Sequence, residues 1–345
     1  MKKVRVSVIV PCYNHADYLK MCLQSIFYQT FQDFEVIVVD DASTDHTPNI
    51  VKEFSDSRLC YIRHKKNLGP ASALNTGINL SKGDFIAIIG ADDLMRSDNL
   101  GIKVDILSKH PNIGVVYSNA EIIDEDGTVI GLARKQISDG ALFIEKPFAR
   151  LIYGNFITAS AVVIRKSCFE KVGLFDSGLR YGEDWDMWLR LAYYYNFGYI
   201  DIPLVQYRLH LRTKSLSKQN YSGNKDLVSM KRIMSKIFCK FNLEAQGYSY
   251  EKVYWSNYFR MLNNKLNVLP VCQVVGFYVK GIKAYPSYLK NLKGNMIFSL
   301  KLFCYFVFPK PLLLFLRRLK YRRWLWISYL RKATSVFHNM FISLP

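Results

Sequence analysis

The feature that most constrains this chain is a repeated order of segments in its first hundred residues: a short β-branched run, a polar loop, then an amphipathic stretch. Residues 4–10, 35–39, 60–63 and 85–89 have strand length and strand character, while 16–28, 47–54 and 71–80 carry apolar residues at helical spacing. Ser43 or Thr44, with Pro48 just inside, marks the start of the second helix. Strands alternating with helices fold as a parallel sheet covered by crossover helices, and such α/β sheets bind ligands at the carboxyl ends of their strands. The loops that follow the apolar runs are therefore the ones to read for chemistry.

Beyond that block, 97–109 reads as a helix, 114–119 as a strand, 122–130 as a hairpin turning at Asp126-Gly127, and 156–164 as another strand. Residues 181–195 read as a helix that opens with acids, where the helix dipole favours them. Residues 212–226 are polar and short of branched apolar side chains, which predicts a mobile loop placed to close over a ligand. From about residue 227 the pattern turns helical.

The formal net charge of +19 suggests a nucleic-acid partner until its position is considered. The last acidic residue is Glu251, and 16 of those 19 charges come from the Lys and Arg beyond it. Charge confined to one end reads as an interaction tail. From Asn295 the tail is dense in aromatics and aliphatics, but Lys301, Pro309, Lys310 and Pro311 break it, so no run of roughly 20 apolar residues is available to span a bilayer. Residues 317–326 mix cations with Tyr321, Trp324 and Trp326, a composition suited to helices lying in the headgroup layer of an anionic membrane. Seven scattered cysteines show no zinc or disulfide spacing and read as reduced, mostly buried thiols. With a strand beginning directly after Lys3, in place of a signal segment, the expectation is a cytoplasmic protein peripherally associated with the inner face of the cell membrane.

Four loops at strand ends concentrate Asp, Asn and Gly. In Val10-Pro11-Cys12-Tyr13-Asn14 a Tyr ring can stack on a nucleobase, though an ordinary strand-ending turn is the better explanation of the segment taken alone. Asp40 and Asp41 stand where acidic side chains of nucleotide-binding sheets accept from base or ribose, with helix capping by Asp41, Ser43 or Asp45 as the competing explanation. Asn67-Leu68-Gly69-Pro70 leads into a helix of small residues, Ala71 to Gly77 with Asn75 among them, that lets a ligand or a strand approach its backbone. Asp92 and Asp93 follow another strand; adjacent carboxylates repel unless a cation lies between them, and hard oxygen ligands suit Mg2+ or Mn2+. Further on, Asp184 in Gly182-Glu183-Asp184-Trp185 can act as a general base partly shielded by aromatics, and Tyr207-Arg208-Leu209-His210-Leu211-Arg212 offers an imidazole and two guanidiniums to a metal or a diphosphate.

In this order the segments resemble the family-two glycosyltransferases of the GT-A fold, over roughly residues 4–215. Residues 6–14 look like that family's first strand, and 35–47, with Val-Val-Asp-Asp-Ala-Ser-Thr-Asp, are similar to its donor-base motif. Asn67, Gly69, Ala73, Asn75 and Gly77 match an Asn/Gly helix motif, Asp92-Asp93 the metal-binding acids, Glu183-Asp184 the element carrying the base, and 207–210 a later donor-site segment. The chain departs from many relatives in having Gly90 where they have Asp, and it lacks the Gln-x-x-Arg-Trp element of processive synthases. The tail's composition predicts a helical, membrane-surface region over 216–345, and the resemblance implies a mostly parallel sheet flanked by helices over 1–215. It also implies an inverting, non-processive transferase that takes a sugar from a nucleotide diphosphate donor, UDP by default. The base would be Asp184. The donor would be held by Pro11, Tyr13, Asp40, Asp41, Asn67, Gly69, Asn75, Asp92 and His210, and Mn or Mg by Asp92, Asp93 and His210. The acceptor would be a saccharide or a lipid-linked sugar of cell-surface polysaccharide or glycolipid, with no nucleic acid involved. A nucleic-acid-binding α/β protein and a catalytically silent nucleotide-sugar binder are the competing classes; a nicotinamide dehydrogenase is disfavoured because no Gly-x-Gly-x-x-Gly follows the first strand.

Overall fold

A computed structural model of the chain describes residues 4–136, 140–210 and 225–265. The opening block alternates as its apolar runs require: β1 (Val6–Cys12), α1 (Ala16–Phe27), β2 (Phe34–Asp40), α2 (Thr47–Lys52), β3 (Leu59–Arg63), α3 (Pro70–Leu80) and β4 (Phe85–Ile88). There follow β5 (Leu94–Met95), α4 (Asn99–Lys109), β6 (Ile113–Ile123), β7 (Val129–Leu132), β8 (Leu142–Glu145), α5 (Phe148–Leu151), β9 (Val162–Arg165), α6 (Cys168–Val172), α7 (Glu183–Tyr194), β10 (Asn196–Arg208), α8 (Lys225–Phe241) and α9 (Tyr250–Lys265).

Ten strands among the described residues form one sheet, ordered β3-β2-β1-β4-β9-β6-β10-β5, with β7 on β6 and β8 on β10. β3, β2, β1 and β4 are parallel, with Val8 paired to Val36 on one side and to Ala87 on the other. β9 is antiparallel to β4 and β6, and β6 and β10 are parallel. All of β2 and all of β1 except Pro11 is buried, as expected for strands covered on both faces. α3 lies on β1 because Gly77 is bare: a Cβ there would stand 2.4 Å from Ile9 Cγ2. The chain runs outward from β1 to β3 and returns to β4 on the other side of β1, which opens a crevice at the carboxyl ends of β1 and β4.

Two local expectations change. The run 156–164 is not one strand: Ala159–Ala161 is a 3-10 turn and β9 starts at Val162. Asn155 Oδ1 accepts the Ile157 N–H at 3.1 Å and Thr158 O that of Ala161 at 3.0 Å, committing the backbone to turns before the apolar run begins. Nor is α2 started by Ser43 or Thr44: Asp45 Oδ1 accepts the Thr47 N–H at 3.0 Å, and its Oδ2 accepts the Ala16 N–H of α1 at 2.9 Å. One carboxylate thus satisfies orphan donors at two helix starts. The expected hairpin is present as β6 and β7, with Gly127 at φ +86° in its turn.

The stretch 212–226 lies outside the described residues except for its last two, which begin α8, and the basic aromatic tail lies wholly outside them. The chain divides into compact units Met1–Tyr254 and Trp255–Pro345, and the site below belongs to the first. Among the described residues no helix is long and apolar enough to cross a membrane. The five described cysteines are free thiols, with Cys12, Cys22 and Cys168 buried.

Candidate active site

At the end of β2, Asp40 and Asp41 are buried and engaged by the fold itself. Asp40 accepts the Ser43 N–H at 2.7 Å and the Tyr61 hydroxyl at 2.6 Å, with Arg63 Nε 3.5 Å away. Asp41 accepts the N–H groups of Leu68 at 2.8 Å and Gly69 at 2.7 Å. A His64 ring nitrogen is 2.7 Å from Asp41, and the other His64 nitrogen meets Thr76 Oγ1 at 3.0 Å. Buried carboxylates are stable when ringed by donors in this way, so Asp41 fixes the 64–69 loop against the strand end and Asp40 the turn at Ser43 and the neighbouring β3. That loop leaves Asn67 exposed and turns at Gly69 with φ +92°, a conformation that favours glycine. On the adjoining end of β1, Pro11 is half-buried and the Tyr13 ring is 37% exposed. Asn14 pins the Ser43-Thr44 turn, donating its N–H to Ser43 Oγ at 3.0 Å and accepting the Thr44 N–H at 2.7 Å.

β4 leads through Gly90 to the second acid pair. A Cβ on Gly90 would lie 2.9 Å from Asp92 Oδ1 and 3.1 Å from Asp93 Oδ2, so the bare position leaves room for both carboxylates. Asp93 is buried; the Ser160 hydroxyl donates to its Oδ2 and the Arg208 N–H to its Oδ1 at 2.8 Å. Burial, and then the charge of Asp92, push the Asp93 carboxyl well above the usual range. Asp92 Oδ2 lies 2.7 Å from His210 Nε2. Burial acts to raise the Asp92 carboxyl too, but the His210 hydrogen bond and the His15 and His210 charges outweigh it and hold the group below its ordinary value. The ligand atoms of His15, Asp92 and His210 all lie within 4.8 Å of one another. Two imidazoles and a carboxylate fit a divalent transition ion, whereas Mg2+ favours oxygen ligands. Of the expected metal residues, then, Asp92 and His210 converge with His15, and Asp93 is turned to Ser160 and the Arg208 backbone. Arg208, expected to offer its guanidinium to a diphosphate, is buried on the Asp92, Asp124 and Glu125 carbonyls at 2.9, 2.8 and 3.1 Å.

The third acid centre opens α7, behind Gly182 at φ +74°. Asp184 Oδ2 accepts the Asn155 side-chain amide at 2.7 Å, and Oδ1 the Trp185 N–H at 2.7 Å. Burial raises the Asp184 carboxyl above its ordinary value; burial, and then the Asp184 charge, push Glu183 up to about 7. Carboxyls raised toward neutrality are suited to proton transfer at physiological pH. Trp185 Nε1 donates to Leu151 O at 2.7 Å, and Lys236 of α8 reaches Asp186 at 2.5 Å and Asp176 at 3.0 Å, so the start of α7 is held from two sides.

Two bridges bind these centres together. Within one short segment, Asn155 holds Asp184 while Ser160 holds Asp93 and accepts the Gly90 N–H at 2.9 Å. Asn75 of α3 donates to Phe175 O at 2.8 Å and accepts the Phe175 N–H at 2.9 Å, fastening the helix that Asp41 grips to the loop that leads into α7. Asn75, expected at the donor, spends its side chain on that bridge. Sequence reading missed His15, His64, Asn155 and Ser160. His15 had a signal, an imidazole directly after the Tyr13-Asn14 loop; Asn155 and Ser160 had none, lying at and within a run misread as strand.

The model for glycosyl transferase family 2 matches residues 7–173. An uncharacterized glycosyltransferase of Haemophilus influenzae is 30% identical over 233 residues, which are 66% of this chain and 72% of the relative. The chain belongs to glycosyl transferase family 2. A Rickettsia typhi relative, also an uncharacterized glycosyltransferase, is 31% identical over 206 residues, 59% of this chain, and the match spans 64% of that relative's length, under two thirds. Among solved structures, the family-2 chain resembles S. aureus TarS 1–349 with TM-score 0.58 and 18% identity, over 83% of this chain and 92% of that one. The complex of TarS 1–349 with UDP-GlcNAc gives TM-score 0.53, at 18% identity over the same shares, 83% and 92%. The mannosyltransferase PcManGT of Pyrobaculum calidifontis, in complex with GDP-Man and Mn2+, gives 0.50 at 19% identity over 84% of each chain. At such identities the likeness is one of fold: the mixed, mostly parallel sheet of GT-A glycosyltransferases.

Proposed function

We propose that this family-2 glycosyltransferase is a metal-dependent, inverting, non-processive hexosyltransferase. It moves a sugar from a UDP-sugar to a hydroxyl of a saccharide or lipid-linked acceptor in cell-surface polysaccharide or glycolipid synthesis. The observation that carries this reading is the pair of bridges that fastens the Asp41 loop, the Asp92-Asp93 pair and Asp184 to one another. A nucleotide-sugar ligand in the TarS complex supports the donor class, and Mn2+ in the PcManGT complex supports a divalent ion.

In this reading the exposed Tyr13 ring stacks on the base, with Pro11 beneath it and Asn67 and Gly69 along the edge. Asp40 and Asp41 shape the nucleotide seat by holding its loops, and Asn75 holds the α7 loop against it. Asp184 takes the acceptor hydroxyl proton as that oxygen attacks the anomeric carbon from the side opposite the diphosphate. The new C–O bond forms as the bond to the leaving phosphate oxygen breaks, so configuration inverts. His15, Asp92 and His210 would hold the ion, with Asp93 bracing their loop. When bound, a divalent cation supplies charge stabilisation to the departing diphosphate.

Residues 1–215 form the catalytic domain in this proposal, and 216–345 a helical region whose basic aromatic end docks on the anionic inner face of the cell membrane, favoured by about 1 kcal/mol per surface cation. Removing 285–345 should abolish retention on anionic vesicles and spare donor hydrolysis; retention on RNA or DNA with no vesicle affinity would instead make the tail a nucleic-acid arm. For the chemistry, a panel of nucleotide sugars is assayed for released nucleotide with and without EDTA. One donor should turn over, EDTA should stop it, Mn2+ should restore it, and Asp184→Asn should lower it at least about 100-fold. Nucleotide binding with no turnover for any donor and acceptor would make the chain a silent binder.

A further inference from the structure

We propose that Asn155 is a positioning residue for the transfer reaction: its side-chain amide fixes the orientation of the Asp184 carboxylate. The proposal rests on the reading of Asp184 as the base.

The geometry fixes which way the amide faces. Asn155 Oδ1 accepts the Ile157 N–H at 3.1 Å, which leaves Nδ2 toward Asp184 Oδ2 at 2.7 Å. A flipped amide would set oxygen against carboxylate at one end and N–H against N–H at the other. The loop is itself anchored, since the Gly154 N–H donates to Leu151 O at 3.0 Å and that same carbonyl accepts Trp185 Nε1 at 2.7 Å. Asn155 is therefore held by the start of the helix whose acid it orients. With Trp185 N–H on Oδ1 and Asn155 on Oδ2, rotation of the Asp184 carboxylate is locked, while each oxygen keeps a second lone pair for an incoming hydroxyl.

The same bond sets proton affinity. Burial raises the Asp184 carboxyl, and the bonds from Trp185 and Asn155 oppose that rise by favouring the charged form. Of the elements around it, α7 contributes the neighbouring acid Glu183, and the facing 154–158 segment has no titratable side chain. α5 brings Arg150, paired with Glu145 at 2.8 Å, and α8 brings Lys236, paired with Asp186 and Asp176. α6 meets α7 further along, where Arg190 donates to Val172 O at 2.7 Å. Asn155 is the neutral donor whose loss leaves burial less opposed. Activity depends on the ionised base and falls as pH drops through its pKa, so a raised pKa moves that fall to higher pH.

The experiment is the pH profile of kcat/KM for wild type, Asn155→Ala and Asn155→Asp, each checked by thermal melting. Asn155→Asp keeps the acceptor for the Ile157 N–H, so the turn survives, but it replaces a donor with a negative charge. The acid limb should move to higher pH in the order wild type, Ala, Asp. On the acid limb, below the wild-type pKa, the Ala variant should lose about tenfold, the scale of one hydrogen bond to a charged group, and Asp should lose more, while at high pH Ala approaches wild type with donor KM unchanged. An unmoved limb, a loss of the same size at every pH, or Asp no worse than Ala overturns the proposal. Asp184→Asn and Glu183→Gln run alongside separate the two failures. If Asp184→Asn retains activity and the limb disappears in Glu183→Gln, the reading of Asp184 as base is what fails. If Asp184→Asn abolishes activity and the Asn155 variants leave the limb in place, this inference alone fails.

Discussion

Two strands of this protein end in the same trio, a pair of consecutive aspartates with a histidine 2.7 Å from one of them, and the fold uses the two trios in opposite ways. After β2, Asp40 and Asp41 take backbone N–H groups, a phenol and an imidazole, and the second nitrogen of His64 is closed by Thr76. After β4, the acids divide the work. Asp93 takes the inward bonds from Ser160 and Arg208, and Asp92, its side chain 20% exposed, is left with His210 beside His15. What separates a structural acid from a candidate ligand is thus the set of donors that the fold supplies. A carboxylate already ringed by N–H groups cannot serve a cation without releasing the loop it holds, whereas one that faces imidazoles can exchange them for a shared ion.

The sharpest break of this comparison is Asp92→Asn against Asp41→Asn. Asp92→Asn should cut metal-supported turnover by about 100-fold or more, several kcal/mol of charge stabilisation, and leave the melting temperature near wild type because it relieves repulsion on Asp93. Asp41→Asn should do the reverse. Its new NH2 must face either the Leu68 or the Gly69 N–H, a loss of about 2–3 kcal/mol for a buried bond to a charged group, read as a lower melting temperature in the absence of any ligand. If Asp41→Asn is as stable as wild type but inactive, the first trio belongs to the chemistry and the contrast drawn here is wrong.

The same contrast shows what could be read from sequence. Parallel strands buried on both faces have to be written as continuous apolar runs, so 35–39 and 85–89 betray their strands, and the acids that follow them must lie at the sheet's carboxyl edge. That both pairs sit at strand ends was legible. That Asp41 clamps a loop while Asp92 faces two imidazoles was not, because the difference lies in partners distant along the chain: Leu68 and Gly69 for one, His15 and His210 for the other. Asn75 teaches the same point. The resemblance put it at the donor, but its side-chain partner is the Phe175 backbone, 100 residues away. Asn155 and Ser160 left no periodic trace, since a polar residue in a turn is ordinary until the carboxylate that it faces is known.

The histidines sharpen the comparison at a smaller scale. His210→Gln and His15→Gln should each weaken Mn2+ binding by roughly 10- to 100-fold, measured by titrating free Mn2+ with the protein in the absence of donor, with little change in melting temperature. His64→Gln should leave that titration unchanged and instead lower stability by about 1–2 kcal/mol, because it weakens the tie between Asp41 and Thr76 under the 64–69 loop. His15 is the discriminating member, since it comes from the start of α1 and meets the other two through space alone, its ring centroid 5.9 Å from that of His210. A His15 variant that binds Mn2+ as wild type does would reduce the ligand set to Asp92 and His210, one short of the three that make a transition ion the better fit. A His64 variant that loses Mn2+ binding would show that the two strand ends act as one site, and the division of labour between them would have to be withdrawn.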